Sequence, residues 1–261
     1  MKPTKISPHF RSPLKSLIKR KIRVPLLLAA CVPLSLLTAC GSGSGGLSGK
    51  SAQQVLRVSL AAARDGGSFH FVDRNGSGKQ TRLLVGDTGT VNAQQSLTAG
   101  GSSVEVRLVK EVAYIRAPSE SLEAVLGLSA PKASAEAGKW LSVTSGDKGY
   151  GQIVKALAPA SELNSFVPKS PLVLRSPTTL HGVSVLPISG AASAGAATGA
   201  LNAQATLFVS DQPPYRPVGG LLTGKDVHGR SQTDEVAFTR WGEVIRLGTP
   251  SGAVSVATIA G

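Results

Sequence analysis

Apolar and charged side chains alternate along Val104-Glu105-Val106-Arg107-Leu108. A period of two gives one dry face and one wet face, which is the pattern of a strand buried on one side. Strand-like runs recur through most of the chain. The first, Ser68-Phe69-His70-Phe71-Val72-Asp73, is followed by the turn set Asn75-Gly76-Ser77-Gly78 and a second run over residues 80–87, which reads as a hairpin. Further strands are expected near residues 90–98, 104–109, 112–117 and 140–143, and then over 179–189, 203–210, 215–223, 230–240, 243–247 and 253–259. Gly, Pro, Asn and Asp separate most pairs, and no stretch supplies the helical crossover that parallel neighbours need. The sheet is therefore expected to be antiparallel.

Helices are few and short. Ser51 can cap a helix over 52–64, with Ala52, Val55, Leu56, Ser59, Leu60 and Ala63 at three-and-four spacing. Segments 119–126, 149–157 and 160–167 carry Leu122, Val125, Leu126, Ile153, Val154, Leu157, Leu163, Phe166 and Val167 on apolar stripes, until Pro168 and Pro171 stop the run. Residues 130–138 read as a loop. Residues 190–201, almost all Gly, Ala, Ser and Thr, read as a long mobile hairpin loop.

The N-terminus carries a targeting signal. Residues 1–39 hold eight basic side chains and no acidic one, leaving twenty of the 28 Lys and Arg against all 15 Asp and Glu beyond them. The formal charge of +13 thus falls to +5 from Cys40 onward, and nothing in it calls for nucleic acid. Val24 to Ala39 form a 16-residue apolar run with two prolines. A membrane-crossing helix needs about 20 residues, so the run fits a signal peptide better. It closes on Leu37-Thr38-Ala39-Cys40, which resembles the bacterial lipobox. The resemblance implies that Cys40 is acylated and becomes the first mature residue, anchoring the chain to the outer face of the cell membrane. The expected organisation is a signal peptide over 1–39, a lipidated Cys40 with a Gly/Ser tether over 40–50, and one domain over 51–261. Cys31 lies in the segment to be removed, so the mature domain has no disulfide and relies on its core alone. Gly41, Gly43 and Gly46 satisfy G-x-G-x-x-G, but they follow a lipidation site and not a strand, so they belong to the tether.

This order of elements, with wording such as Gly138-Lys139-Trp140-Leu141 and Phe238-Thr239-Arg240-Trp241-Gly242, resembles the lipoprotein-carrier superfamily of LolA and LolB. The actinobacterial LppX/LprG-type lipoproteins are the nearest fit. The resemblance implies an α+β fold, a curved antiparallel half-barrel sheet of about 10–11 strands wrapped around a few short helices. It also implies an apolar cavity between sheet and helices that binds or transfers an acylated lipid or lipoglycan. Candidate lining residues are Leu56, Leu60, Phe69, Phe71, Val106, Leu108, Leu122, Leu126, Ile153, Leu157, Phe166 and Phe238. A closed core has the same pattern as a lipid cavity, so an alternative stays open: a surface-anchored protein-interaction module with no lipid ligand, presented through an exposed loop such as 190–201.

The mature histidines, His70, His181 and His228, stand on separate elements with no ligand spacing between them, and no G-x-S-x-G elbow is present. His70, between Phe69 and Phe71, is expected on the wet face. Asp234-Glu235 and Glu243 are expected along a solvated edge, since neighbours in a strand point to opposite faces. Trp140 and Trp241 are expected as core anchors. The chain is accordingly read as a monomer, not an enzyme, with no metal, cofactor or nucleic acid.

Overall fold

The computed structural model describes residues 46–77, 80–193, 201–226 and 228–260. The expected signal peptide over 1–39, Cys40 and the first half of the expected tether lie outside them. The described residues belong to one compact unit, Gly45–Gly261.

Helix α1, Ala52–Gly66, starts where the sequence supplies a reciprocal cap. The Gln54 N–H donates to Ser51 Oγ at 3.3 Å, and the Ser51 N–H donates to Gln54 Oε1 at 2.8 Å. Its buried stripe is Val55, Leu56, Ser59 and Ala63. Because this cap is exposed and isolated, Ser51→Ala is expected to cost about 1 kcal/mol, read as a lower urea midpoint with an unchanged slope.

Strands β1 (Phe69–Ser77), β2 (Gln80–Thr88), β3 (Asn92–Ala99), β4 (Ser102–Val109) and β5 (Val112–Arg116) form a meander. Helices α2 (Ser119–Leu126) and α3 (Ala130–Glu136), strand β6 (Leu141–Val143), and helices α4 (Tyr150–Leu157) and α5 (Pro159–Ser165) follow. A second run of strands comprises β7 (Lys169–Leu174), β8 (Thr178–Leu180), β9 (Val183–Ala191), β10 (Leu201–Ser210), β11 (Pro217–Lys225) and β12 (Ser231–Thr239). The chain then reaches β13 (Val254–Ser255) and α6 (Val256–Ala260). All thirteen strands join one curved, unclosed sheet, ordered β13-β6-β5-β4-β3-β2-β1-β12-β11-β10-β9-β7, with β8 beside β9. The first and last long strands, β1 and β12, meet in the middle, His70 opposite Thr239 and Phe71 opposite Phe238.

The α+β half-barrel is as expected, with several corrections of detail. The sheet has thirteen strands rather than ten or eleven, and it is mixed: β13 pairs parallel with β6 through Val254–Leu141 and Ser255–Ser142. Such a short edge pairing needs only a returning loop, not a helical crossover. The strand expected over 243–247 does not form. Arg240 and Gly242 take positive φ values of 51° and 81° and turn the chain away, while β12 already has β1 and β11 on its two edges. The segment runs past the start of the inner strand β3 instead, the Ile245 carbonyl accepting from Asn92 Nδ2 at 2.9 Å. The strand expected over 253–259 is mostly α6. Residues 130–138 are largely the helix α3, which buries only Ala133 and so shows no apolar stripe in its sequence. The chain after Pro168 enters β7, and residues 179–189 divide into β8 and β9 at His181 and Gly182, both at positive φ. Asn75 and Gly76 belong to β1 rather than to a turn. Of the loop expected over 190–201, Gly190 and Ala191 are in β9 and Leu201 is in β10, while 194–200 lie outside the described residues.

Candidate functional site

The helices cover one face of the sheet, α1 against β7, β10 and β11, and α4 against β3, β4 and β5. They bury two apolar clusters there, and the predicted lining residues divide evenly between them. Leu56, Phe69, Phe71, Phe166 and Phe238 are buried in the first, with Leu60 packed at its margin. Leu108, Leu122, Leu126, Ile153 and Leu157 are buried in the second, with Val106 at its margin.

The first cluster is filled by rings. Phe69 lies edge-on to Phe238 with centroids 5.4 Å apart, and Phe166 meets Phe238 at 6.4 Å. Two glycines make room for this packing. A Cβ on Gly220 would come within 2.6 Å of Phe166, and one on Gly86 within 2.7 Å of the Phe71 ring.

Between the clusters the sheet is tied to the end of α4 by polar contacts. Thr88 Oγ1 donates to the Leu157 carbonyl at 2.6 Å, and Gln95 Nε2 donates to the Ala156 carbonyl at 3.0 Å. Alongside runs a row of directly opposed residues, Asp73, Leu84, Leu97 and Val104, on four successive strands. Leu84 packs against the first cluster and Val104 against the second, and Leu97 faces both in register. All three apolar members are only half-buried, as is Val106. The helix-covered face is thus dry at both ends and thinly covered in the strip between.

At the head of that row sits a cluster of ionisable groups. Asp73 on β1 and Asp234 on β12 are 2% and 7% exposed. Arg82 on β2 places Nη2 3.1 Å from Asp73 Oδ2 and 3.8 Å from Asp234 Oδ2, and Glu162 reaches the group from α5. Three carboxylates face one guanidinium. Burial pushes the Asp73 carboxyl up to about 10, reinforced by a hydrogen bond to Asp234 and by the charges of Asp234 and Glu162, against the pull of Arg82. Burial likewise raises Glu162 to about 7, with the charge of Asp234 adding to it. Asp73 therefore holds a proton at neutral pH and shares it with its neighbours.

The solvated edge expected at Asp234 is not found. Glu235 does point to the opposite face, and Glu243 is exposed, but Asp234 faces inward with Val236 and Phe238. Period two already carries this information: Asp73 shares parity with Phe69 and Phe71, and Arg82 shares it with Leu84. Trp140 is not a core anchor either. It sits half-buried on the other face of the sheet, with the guanidinium groups of Arg107 and Arg116 at 4.8 Å and 5.0 Å from its ring centroid. Trp241 does pack on the first cluster, 4.6 Å from Phe69, and donates from Nε1 to the Pro217 carbonyl. His70 stands on the outer face, one-fifth exposed, with Nδ1 2.8 Å from Asp87 Oδ1. Asp87 also accepts from Gln94 and Arg240, and these hydrogen bonds and positive charges hold its carboxyl below the usual carboxylate range despite partial burial. Among the described residues no group of three or more His, Cys, Asp and Glu is arranged to hold a metal ion, and no helix is long and apolar enough to cross a membrane.

No family model matches this chain, and no curated protein matches it in sequence. Solved structures similar to it include the lipoprotein LppX from Mycobacterium tuberculosis, at 15% identity and a TM-score of 0.48 over 76% of this chain and 100% of that one. LprF from Mycobacterium bovis is 15% identical with a TM-score of 0.48, covering 77% of this chain and 97% of its own. An outer membrane lipoprotein-sorting protein domain from Vibrio parahaemolyticus is 8% identical with a TM-score of 0.30, over 75% and 95%. The neighbours thus include LppX itself and a lipoprotein-sorting domain, the two types to which the sequence wording points.

Proposed function

We propose that this chain is a membrane-anchored extracytoplasmic lipoprotein that binds or transfers an acylated lipid, with the acyl chain lying on the helix-covered face of the sheet. The observation that carries this reading is the half-buried row Leu84, Leu97 and Val104 between two dry clusters. A soluble domain gains by covering such a strip, at about 25 cal/mol per Å2 of apolar surface removed from water. An acyl chain supplies that cover without asking for hydrogen bonds in return. Leu56, Leu60, Phe69, Phe71, Leu108, Leu122, Leu126, Ile153, Leu157, Phe166 and Phe238 form the walls on either side, and Val106 borders the strip.

The second reading, a surface-anchored interaction module with a closed core, is favoured by how completely rings fill the first cluster. Native mass spectrometry of the Gly45–Gly261 unit separates the two. This unit holds all the strands and both clusters, so it is self-contained. A bound acylated species that is released on denaturation and identified by solvent extraction supports the first reading. A mass that stays free of ligand after incubation with membrane lipids supports the second.

The anchor is proposed at Cys40, with the signal peptide over 1–39 and the tether over 40–50. Cys40→Ala in the full chain is expected to leave an unprocessed, unacylated precursor, seen as a larger mass on immunoblot and no uptake of labelled palmitate. Continued acylation of that variant would refute the lipobox.

A further inference from the structure

We propose that Asp73, Asp234 and Glu162, with Arg82 beside them, form a binding site for a primary ammonium group, the head group of an amine-bearing lipid whose chain runs from Leu84 toward Val104. The proposal rests on the acyl-binding reading for the chain but not for the head group. Asp73 and Asp234, both buried, each keep an Oδ1, and Glu162 an Oε1, that accepts from no N–H group among the described residues, the shared Asp73 proton being what joins these carboxyls in the free protein; Arg82 Nε beside them is likewise unpartnered. Once the protons leave, the three oxygens are acceptors in want of donors, which suits a group with three N–H donors. Charge points the same way, since three ionised carboxylates would face a single guanidinium, and a second cation can balance them where protons do so in the free protein.

The groups that meet there come from four elements: Asp73 from β1, Arg82 from β2, Asp234 from β12 and Glu162 from α5. The next strand, β11, places the buried Leu222 opposite Asp234, and its one charged residue, Lys225, pairs with Ser231 at the far end of the strand. Access is from the side of Arg82 and Glu162, because the Arg82 side chain is 35% exposed and Glu162 is half-buried. Asp73 pairs directly with Leu84, Leu84 with Leu97, and Leu97 with Val104. The apolar strip therefore begins one strand from the carboxylates and spans about 10 Å from Leu84 to Val104, at roughly 4.8 Å per strand, so that Val104 lies about 14 Å from Asp73. A chain held by its head at Asp73 has that strip directly in line.

In the free protein, protons take the place of the cation. The carboxyl of Asp73 is kept protonated by burial and by its acidic neighbours, and Glu162 is partly protonated near neutrality. An entering ammonium replaces those protons. Binding thus exchanges a cation for about one proton, and the affinity rises with pH.

The test is titration calorimetry on the Gly45–Gly261 unit with dodecylammonium, dodecanol and butylammonium, in two buffers of different ionisation enthalpy. Dodecylammonium is expected to bind at least about tenfold tighter than dodecanol. Its advantage is expected to grow from about pH 6 to about pH 8, with about one proton released. Glu162→Gln and Asp73→Asn are each expected to reduce that advantage and the proton release. Equal binding of amine and alcohol, or an advantage with no proton release and no response to either variant, overturns the site while leaving acyl binding in place. If neither long-chain probe binds, acyl binding falls. Butylammonium then decides the head-group site alone: saturable proton release at millimolar amine supports it as a site for small free amines, and none overturns it.

Discussion

Phe71→Ala is expected to lower the stability of the Gly45–Gly261 unit by about 3–5 kcal/mol, the usual cost of deleting a fully buried ring. Phe71 is 0% exposed at the centre of the sheet, where β1 meets β12. Its ring lies 6.2 Å from that of Phe69 and occupies the space over Gly86. Removing it leaves a void over the Gly86 backbone with the Phe69 ring beside it. The site collapses poorly, which puts the cost toward the upper end. Thermal unfolding followed by circular dichroism reads this as a fall in Tm of about 10 °C, at 2–4 °C per kcal/mol for a domain of this size. Gly86→Ala is expected to destabilise for the complementary reason, because its Cβ would lie 2.7 Å from the Phe71 ring and 2.7 Å from the Gln94 carbonyl oxygen. Combined with Phe71→Ala the two costs are expected to be sub-additive, since the ring clash disappears and only the backbone clash persists. A Phe71→Ala cost below about 1 kcal/mol would show that the interior repacks freely and would remove the closed aromatic cluster from the account.

Asp73→Asn, by contrast, is expected to stabilise the domain at neutral pH. The folded chain holds the Asp73 proton to about 10, whereas the unfolded chain releases it near the ordinary value of 3.8. The folded state therefore binds more protons. The stability this group contributes is complete below about pH 4 and is lost as pH rises toward 10. Glu162 adds a smaller loss between 4.5 and about 7. Asparagine has no proton to lose, so the variant is expected to be more stable by on the order of 2–4 kcal/mol near pH 7 and to show a flatter profile between about pH 4 and pH 8. Urea unfolding across that range measures both. The opposite result, a loss of stability at pH 7 and no change in slope, would mean that Asp73 is ionised and that its contact with Arg82 outweighs burial.

Much of this fold is legible in local sequence, because its strands are buried on one side. Alternation at Val104, Val106 and Leu108 and at Phe69 and Phe71 places those side chains on the helix-covered face, where they are found. The cap at Ser51 is equally local. Short or irregular pieces were not legible. In α3 only Ala133 is buried, β13 is two residues long, and the segment after Arg240 carries strand-like residues with no free edge to join. A strand exists only where a partner edge is open, and sequence pattern carries no record of which edges are taken.

The candidate site divides in the same manner. Each inward position, Asp73, Arg82 and Asp234 included, follows from the period of its own strand. Their meeting does not: β1 and β12 are more than 150 residues apart in the chain, and Glu162 comes from a helix on a third segment. Chain order therefore determines the type of the long elements and which side of each strand is dry, since these depend on neighbours within a few residues. Tertiary structure decides that the two meanders join through β1 and β12, that three carboxylates share one interior, and that Leu84, Leu97 and Val104 remain thinly covered. Those outcomes depend on long-range packing and on the loss of water around charges, and no local pattern encodes either.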